Sequence, residues 1–327
     1  MNSSNITCSY SMASWEESMD KLYSYFYLLI FIPGLLGNSL ALWVLCRFIS
    51  KKTKAIIFMI NLAVADLAHV LSLPLRIYYY FSHDWPFTNA MCMFCFYLKY
   101  LNMYAGIVFL VCISIQRCVF LARPFCAKRW KRRYDVRISL LLWVVVGVCC
   151  SPFILMRRSA GMGASNNHSC FKDLPMQRPG LHIAIPMMAF AEMCGFVVPL
   201  IIIILCSYFI TRSLQHSGSG QQSLADRHRA LRMVRVCTGV FLFCFAPYHI
   251  NFLFYMMVQQ DLISDCSVRQ AVKQFHPISL CLASLNCCLN PLIYYFLTTE
   301  FRKLTRQGSS MLRGRLMSWE SSSSYKE

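Results

Sequence analysis

The sequence predicts an all-α membrane protein, a seven-transmembrane helix bundle followed by a short amphipathic eighth helix. Three observations carry that prediction. The 327 residues are 57% hydrophobic and only 14% charged, too apolar a balance for a soluble domain of this length. Seven runs reach or approach the roughly 20 apolar residues that cross a bilayer: 23–46, 55–80, 91–121, 138–155, 183–210, 234–258 and 271–297. Lys and Arg, finally, gather on one side of those runs.

The elements follow in order. Residues 1–21 form a polar tail that lacks the basic start and apolar centre of a cleavable signal peptide, so span one is expected to act as the targeting signal. Residues 22–297 are the bundle, 298–307 an amphipathic helix on the inner leaflet and 308–327 a cytoplasmic tail. The segments after spans one, three, five and seven hold 22 of the 32 basic residues, which makes that side cytoplasmic and the N-terminus extracellular, as expected of a multi-pass plasma-membrane protein. The net charge of +18 then needs no nucleic acid, because anionic lipid at the inner leaflet is its natural contact. Asn2, Asn5 and Asn167 each open an N-glycosylation triplet, and all three fall on the predicted outside.

Of the 18 cysteines, most lie in spans as small apolar groups. Cys8, Cys92, Cys170 and Cys266 lie outside, in an oxidising compartment. They are paired here as Cys92 with Cys170 and Cys8 with Cys266, with a free Cys8 as the alternative, since sequence does not fix connectivity.

Several residues interrupt the apolar spans. A charge at the bilayer centre costs about 2.5–3.5 kcal/mol, yet the run NLAVADLAHVLSLPLRIYYY carries Asp66 and Arg76. Asn38, Asn286 and Asn290 need partners inside the bundle, and Pro152, Pro199, Pro247 and Pro291 each remove a backbone hydrogen bond and are expected to kink their helices. Pro and Asn also serve plain transmembrane packing, so no one of them identifies a function.

Arg76 lies ten residues beyond Asp66, roughly 15 Å along a helix, near the outer mouth of the bundle. Lys99 and, at the end of span four, Arg157 and Arg158 converge on the same level, together with Tyr79, Tyr100, Tyr104, Tyr248 and His249. A terminal Arg such as Arg158 has snorkelling to the interface as its other reading. Several cations without a facing acid favour an anionic ligand, because carboxylate and phosphate oxygens match the guanidinium fork.

Together these features resemble the rhodopsin-like G-protein-coupled receptors over nearly the whole chain. The matching residues are Gly37 and Asn38, LAVAD ending at Asp66, Cys92 and Arg117 at opposite ends of span three, Trp143, Pro199, FLFCFAP from Phe241 through Phe245 to Pro247, and NPLIY from Asn290 through Pro291 to Tyr294. The resemblance implies that Asp66 sits in a polar cavity with Asn286 and Asn290, often with a sodium ion, and belongs to the activation switch. It implies that Arg117 meets a heterotrimeric G protein when span six swings about Pro247. The acid that usually precedes this arginine is replaced by Gln116, and the expectation is a smaller gap between states and some basal signalling.

The local wording of HDWPF, CFYLKYLNMYA and FAPYHINF resembles the purinoceptor-like branch, closest to its lysophosphatidylserine receptors. Nucleotide-binding members usually carry His-x-x-Arg or His-x-x-Lys in span six, where this chain has His249 and Phe252. The implied ligand is an anionic lysophospholipid. Its headgroup lies near Arg76, Lys99, Tyr100, Arg157 and Tyr248, its acyl chain among spans three to five, with Phe171 as the cap. Close relatives place a Lys at the outer end of span six; here Gln259 and Gln260 stand instead. The Rho-activating G proteins are the implied output. No Cys follows Cys288 to be palmitoylated, and the terminal SWESSSSYKE reads either as an arrestin and receptor-kinase site or as plain solvated chain.

Rival classes fit less well. A transporter would show repeats with broken helices in two halves, a channel would show rings of selectivity residues, and an enzyme would need a nucleophile with a base, or metal-ligand spacing, which His69, His182, His249 and His276 do not have. The chief competitor shares the fold: a receptor for extracellular nucleotides.

Overall fold

The computed structural model describes residues 13–47, 56–161, 170–171, 180–215 and 224–297. Eleven α-helices and two π turns run through them: α1 Ala13–Arg47, α2 Ile56–Ser82, α3 Asn89–Ala122, α4 Pro124–Arg129, α5 Arg132–Gly161, α6 Leu181–Glu192, α7 Val198–Gln215, α8 Leu224–Val240, α9 Ala246–Gln259, α10 Cys266–Ser284 and α11 Asn286–Leu297. They make seven helices long and apolar enough to cross a membrane: Ser14–Cys46, Ile56–Ser82, Asn89–Ala122, Arg132–Pro152, Leu181–Ser213, Arg227–Gln259 and Cys266–Tyr294. The number and order of spans are those read from the sequence. Their ends run further, because a helix continues past hydrocarbon wherever caps and neighbours satisfy its backbone. One such extension is at α1, which starts at Ala13, so residues 13–21 of the segment expected as tail are helical.

Local chemistry sets the starts of two helices. Thr88 caps α3 by accepting from the Met91 backbone N–H at 3.3 Å, and Asp265 caps α10 by accepting from Val268 at 3.0 Å. Span three is the axis of the bundle. Ile107, Phe109, Leu110 and Ile113 are fully enclosed, and α3 packs against α2, α5, α7 and α8. The outward face is apolar as well: Leu29, Leu141, Val144 and Val148 remain more than 60% exposed, the surface that hydrocarbon covers.

The expected proline kinks take specific forms. A π turn over Met193–Val197 precedes Pro199, and another over Phe241–Phe245 precedes Pro247. In each case the turn contains the residue whose carbonyl the proline ring would strike, so widening the helix relieves the clash. Span seven breaks at Leu285, between α10 and α11, ahead of Pro291. Around Pro152, by contrast, α5 continues without a break to Gly161.

Gly37 is a point of close approach between spans one and seven. A Cβ there would lie 2.9 Å from Pro291 Cγ, a rigid ring with no room to yield. Gly37→Val is therefore expected to destabilise the bundle by about 1–3 kcal/mol, seen as a lower thermal midpoint of the purified protein; an unchanged midpoint would show that spans one and seven have slack here.

Candidate functional site

The outer half of the bundle holds a chamber of about 330 Å³, within the usual range for ligand cavities. Arg76, Lys99, Tyr100 and Phe171 all line it. Arg76 is 1% exposed. Its Nη2 donates to the carbonyl oxygen of Cys95, its guanidinium lies 4.5 Å from the centre of the Phe171 ring, and its Nε has no hydrogen-bond partner. The Phe171 position follows from the bridge between Cys92 and Cys170, whose Cα atoms are 5.9 Å apart. That bridge pins the second outer loop to the start of α3, and Phe171 then turns with φ 51°, a left-handed conformation costly for a bulky residue and held here by stacking on Tyr80 at 6.0 Å. Disulfide, ring and guanidinium thus form one connected support. Lys99 reaches Tyr27 Oη at 3.5 Å and lies 5.8 Å from the Tyr23 ring.

The remaining expected ligand residues lie elsewhere. Tyr79 packs behind Phe171 at 5.4 Å and beside Trp85 at 6.2 Å, in the wall of the chamber. Tyr104, Tyr248 and His249 do not line it; they pack beneath its floor, Tyr248 lying 6.3 Å from the ring of the lining residue His276. There the His249 ring stacks on Phe196 at 5.2 Å and faces Glu192, Nδ1 to Oε1, at 3.3 Å. The expectation of cations without a facing acid is therefore corrected. Glu192 stands immediately before the π turn of span five, and a second acid, Glu16, lines the chamber itself. The helix of Arg157 and Arg158 is described, but their side chains lie outside the described residues. Sequence reading missed Trp15, Glu16, Met19 and Lys273, which also line the chamber. The i, i+3, i+7 spacing of Glu16, Met19 and Tyr23 was the available signal. Among the other expected features, Cys266 is disulfide-bonded; Cys8, Asn2, Asn5, Asn167, the eighth helix and the serine-rich tail lie outside the described residues.

Below the floor is a polar layer. Asp66 is fully buried, and its two carboxylate oxygens accept from the Asn102 and Asn290 amides, each at 2.8 Å. The neighbour expected at Asn286 is thus Asn102 of span three, a residue not singled out in the sequence. Asn286 lies beside Gly106, one turn along α3 from Asn102, where a Cβ would be 2.9 Å from its Nδ2, and neither of its amide atoms has a hydrogen-bond partner. Asn38 donates to the carbonyls of Gly34 at 2.9 Å and Cys287 at 2.7 Å. Tyr294 Oη reaches the Met59 carbonyl at 3.3 Å. Phe241 and Phe245, on the π turn before Pro247, are fully buried with ring centres 5.8 Å apart.

At the inner end, the stretch around Arg117 does not lack a carboxylate. Asp135 of α5, 5% exposed, accepts at one oxygen from Gln116 Nε2 at 2.8 Å and from Trp130 Nε1 at 2.7 Å. A carboxylate from the next span thus reaches Gln116, the residue before Arg117. Spans five and six are tied nearby by Arg227, whose Nη1 donates to the Ser213 carbonyl at 2.9 Å.

Comparison with known proteins places the chain. Residues 37–294 match the seven-transmembrane receptors of the rhodopsin family. The chain is 56% identical over 324 residues to a human protein named as a purinoceptor, number 10 of its series, covering 99% of this chain and 94% of that one. It is 47% identical over 304 residues to human "Probable G-protein coupled receptor 174", covering 93% and 91%. To mouse "Lysophosphatidic acid receptor 6" it is 32% identical over 288 residues, covering 88% and 83%.

Proposed function

The chain belongs to the rhodopsin-like (class A) G-protein-coupled receptors, in their purinoceptor-like branch, and from that premise we propose that it is the receptor for an anionic lysophospholipid, lysophosphatidylserine. It is a multi-pass membrane protein, a receptor and not an enzyme. One observation supports the ligand class most: a fully enclosed guanidinium with an unused N–H shares one small chamber with two lysines, Lys99 and Lys273. Desolvated cations of this kind favour an anion that accepts from several at once. The chamber has room for a headgroup and glycerol, so the acyl chain is assigned to apolar residues of spans three to five. Where nucleotide receptors use a cation after His249, Phe252 stacks on Tyr248 at 5.6 Å, which removes a phosphate contact. The relative named as a lysophosphatidic acid receptor supports an anionic lysophospholipid, and the one named as a purinoceptor keeps nucleotides as the second reading.

Headgroup capture from the extracellular side at the plasma membrane would press toward Tyr104, Tyr248 and His249 beneath the floor. The π turns at Phe241–Phe245 and ahead of Pro199 are the compliant points through which spans five and six move, opening the inner face around Arg117 to a heterotrimeric G protein of the Rho-activating class, with arrestin and receptor kinases acting on the tail. The test is a panel of lysophospholipids and nucleotides read out on each G-protein class in cells expressing the receptor. A response to lysophosphatidylserine and none to nucleotides is expected; the reverse pattern would replace this reading with the nucleotide one.

A sodium ion fits the polar layer. Asp66 offers a carboxylate, Asn286 and Asn290 offer carbonyl oxygens without partners, and Gly106 leaves the space beside Asn286 clear of a side chain; hard oxygen donors suit such a cation. The ion would supply positive charge that offsets desolvation of the carboxylate. Replacing sodium by choline is expected to lower the thermal midpoint of the wild-type receptor by about 2–4 °C and to leave Asp66→Asn unmoved. Equal shifts in both proteins would remove the ion from this layer.

A further inference from the structure

We infer that Glu16, on the outward extension of α1, reads an ammonium group of the ligand, so that the chamber recognises an aminophospholipid headgroup as a unit and not a phosphate alone. This rests on the reading of the chamber as a lysophospholipid site and names the residue that selects within that class.

The charges on the lining argue for it. Arg76, Lys99 and Lys273 contribute three cations, and Glu16 is the sole carboxylate among the described lining residues. A phosphodiester carrying a serine group has two anionic sites and one ammonium, so three cations meet two anions and one carboxylate meets one cation. A phosphate monoester carries up to two negative charges and no ammonium, and would set like charge against Glu16, an arrangement that selects against the wrong ligand.

Placement supports the same assignment. Glu16, Met19 and Tyr23 fall on one face of α1 and all three line the chamber. The other acids of this helical extension are engaged elsewhere: Glu17 pairs with Lys21 at 2.8 Å and Asp20 faces His83 at 3.7 Å. A second observation is independent of the acid. Trp15 Nε1 and Arg76 Nε are buried N–H groups without a hydrogen-bond partner, both on residues that line this chamber. Buried donors of that kind call for acceptor oxygens, which the phosphate and carboxylate of such a headgroup supply alongside the ammonium facing Glu16.

The experiment compares lysophosphatidylserine with its N-acetyl derivative, which keeps both anions and loses the ammonium, on wild-type, Glu16→Gln and Glu16→Asp receptors at matched surface expression. The wild type is expected to prefer the free amine by about three- to five-fold in potency. Glu16→Gln should lower potency for lysophosphatidylserine alone, so that the preference collapses, and Glu16→Asp should retain part of it. A responding receptor whose Glu16→Gln form keeps the wild-type preference, or weakens for both lipids equally, overturns the assignment by itself. A wild type silent to both lipids overturns the ligand reading and this assignment with it.

Discussion

Arg76→Met abolishes the response to lysophosphatidylserine over the accessible concentration range, or shifts it by about thirty-fold or more. Methionine keeps most of the volume of the buried stem and removes every donor, so the bundle stays filled while the ligand loses its fork. The size follows from burial. Truncating one member of a buried, hydrogen-bonded charge pair costs about 2–5 kcal/mol, and each 1.4 kcal/mol is about ten-fold in affinity. Arg76→Lys restores charge but not the planar fork that can make two parallel bonds, so its potency should fall between the two. Lys99, which is half-buried, should cost less. Concentration-response curves at matched surface expression check this; an Arg76→Met receptor within about three-fold of wild type would take Arg76 out of the ligand site.

Asp135→Ala should raise signalling in the absence of ligand by about ten-fold, the effect of a bias near 1.4 kcal/mol between two states. Two N–H donors, on Gln116 and Trp130, converge on one enclosed carboxylate oxygen, and hydrogen bonds to charged groups contribute about 1.5–3 kcal/mol each. Removing the acceptor frees the inner end of α3, next to Arg117, from the start of α5. Gln116→Asp should act in the same direction, because it sets a carboxylate against Asp135 where a donor now sits. The sequence alone suggested the opposite for this substitution, as restoration of a missing acid. Basal output that falls in Gln116→Asp, or stays level in Asp135→Ala, would show that the contact does not distinguish the states.

Gln116 and Asp135 also show where sequence reading stops. The seven spans were legible because hydrocarbon imposes a strong rule on length and apolarity. Asp66 was legible as a buried charge needing partners. That Asn102 is one of them was not, since which faces of α2, α3 and α11 meet depends on packing. The meeting of Gln116 and Asp135 depends in the same way on the turn through α4. In the chamber, Arg76, Lys99, Tyr100 and Phe171 come together, but depth along each helix was misjudged: Tyr104, Tyr248 and His249 lie beneath the lining, in a region where π turns re-phase spans five and six. Glu16 escaped notice because its segment is polar and lies beyond the apolar run. Only its packing over the chamber shows it to be part of the bundle.

The claim on which the others depend is that the outer chamber binds an anionic lysophospholipid directly. The most direct measurement is equilibrium binding of labelled lysophosphatidylserine to the purified receptor in lipid nanodiscs free of lysolipid, with unlabelled lipid and nucleotides as competitors, repeated for Arg76→Met. Saturable binding that lysophosphatidylserine displaces, that nucleotides leave untouched and that Arg76→Met loses is the predicted result. Displacement by nucleotides, or binding that survives the loss of Arg76, would contradict it.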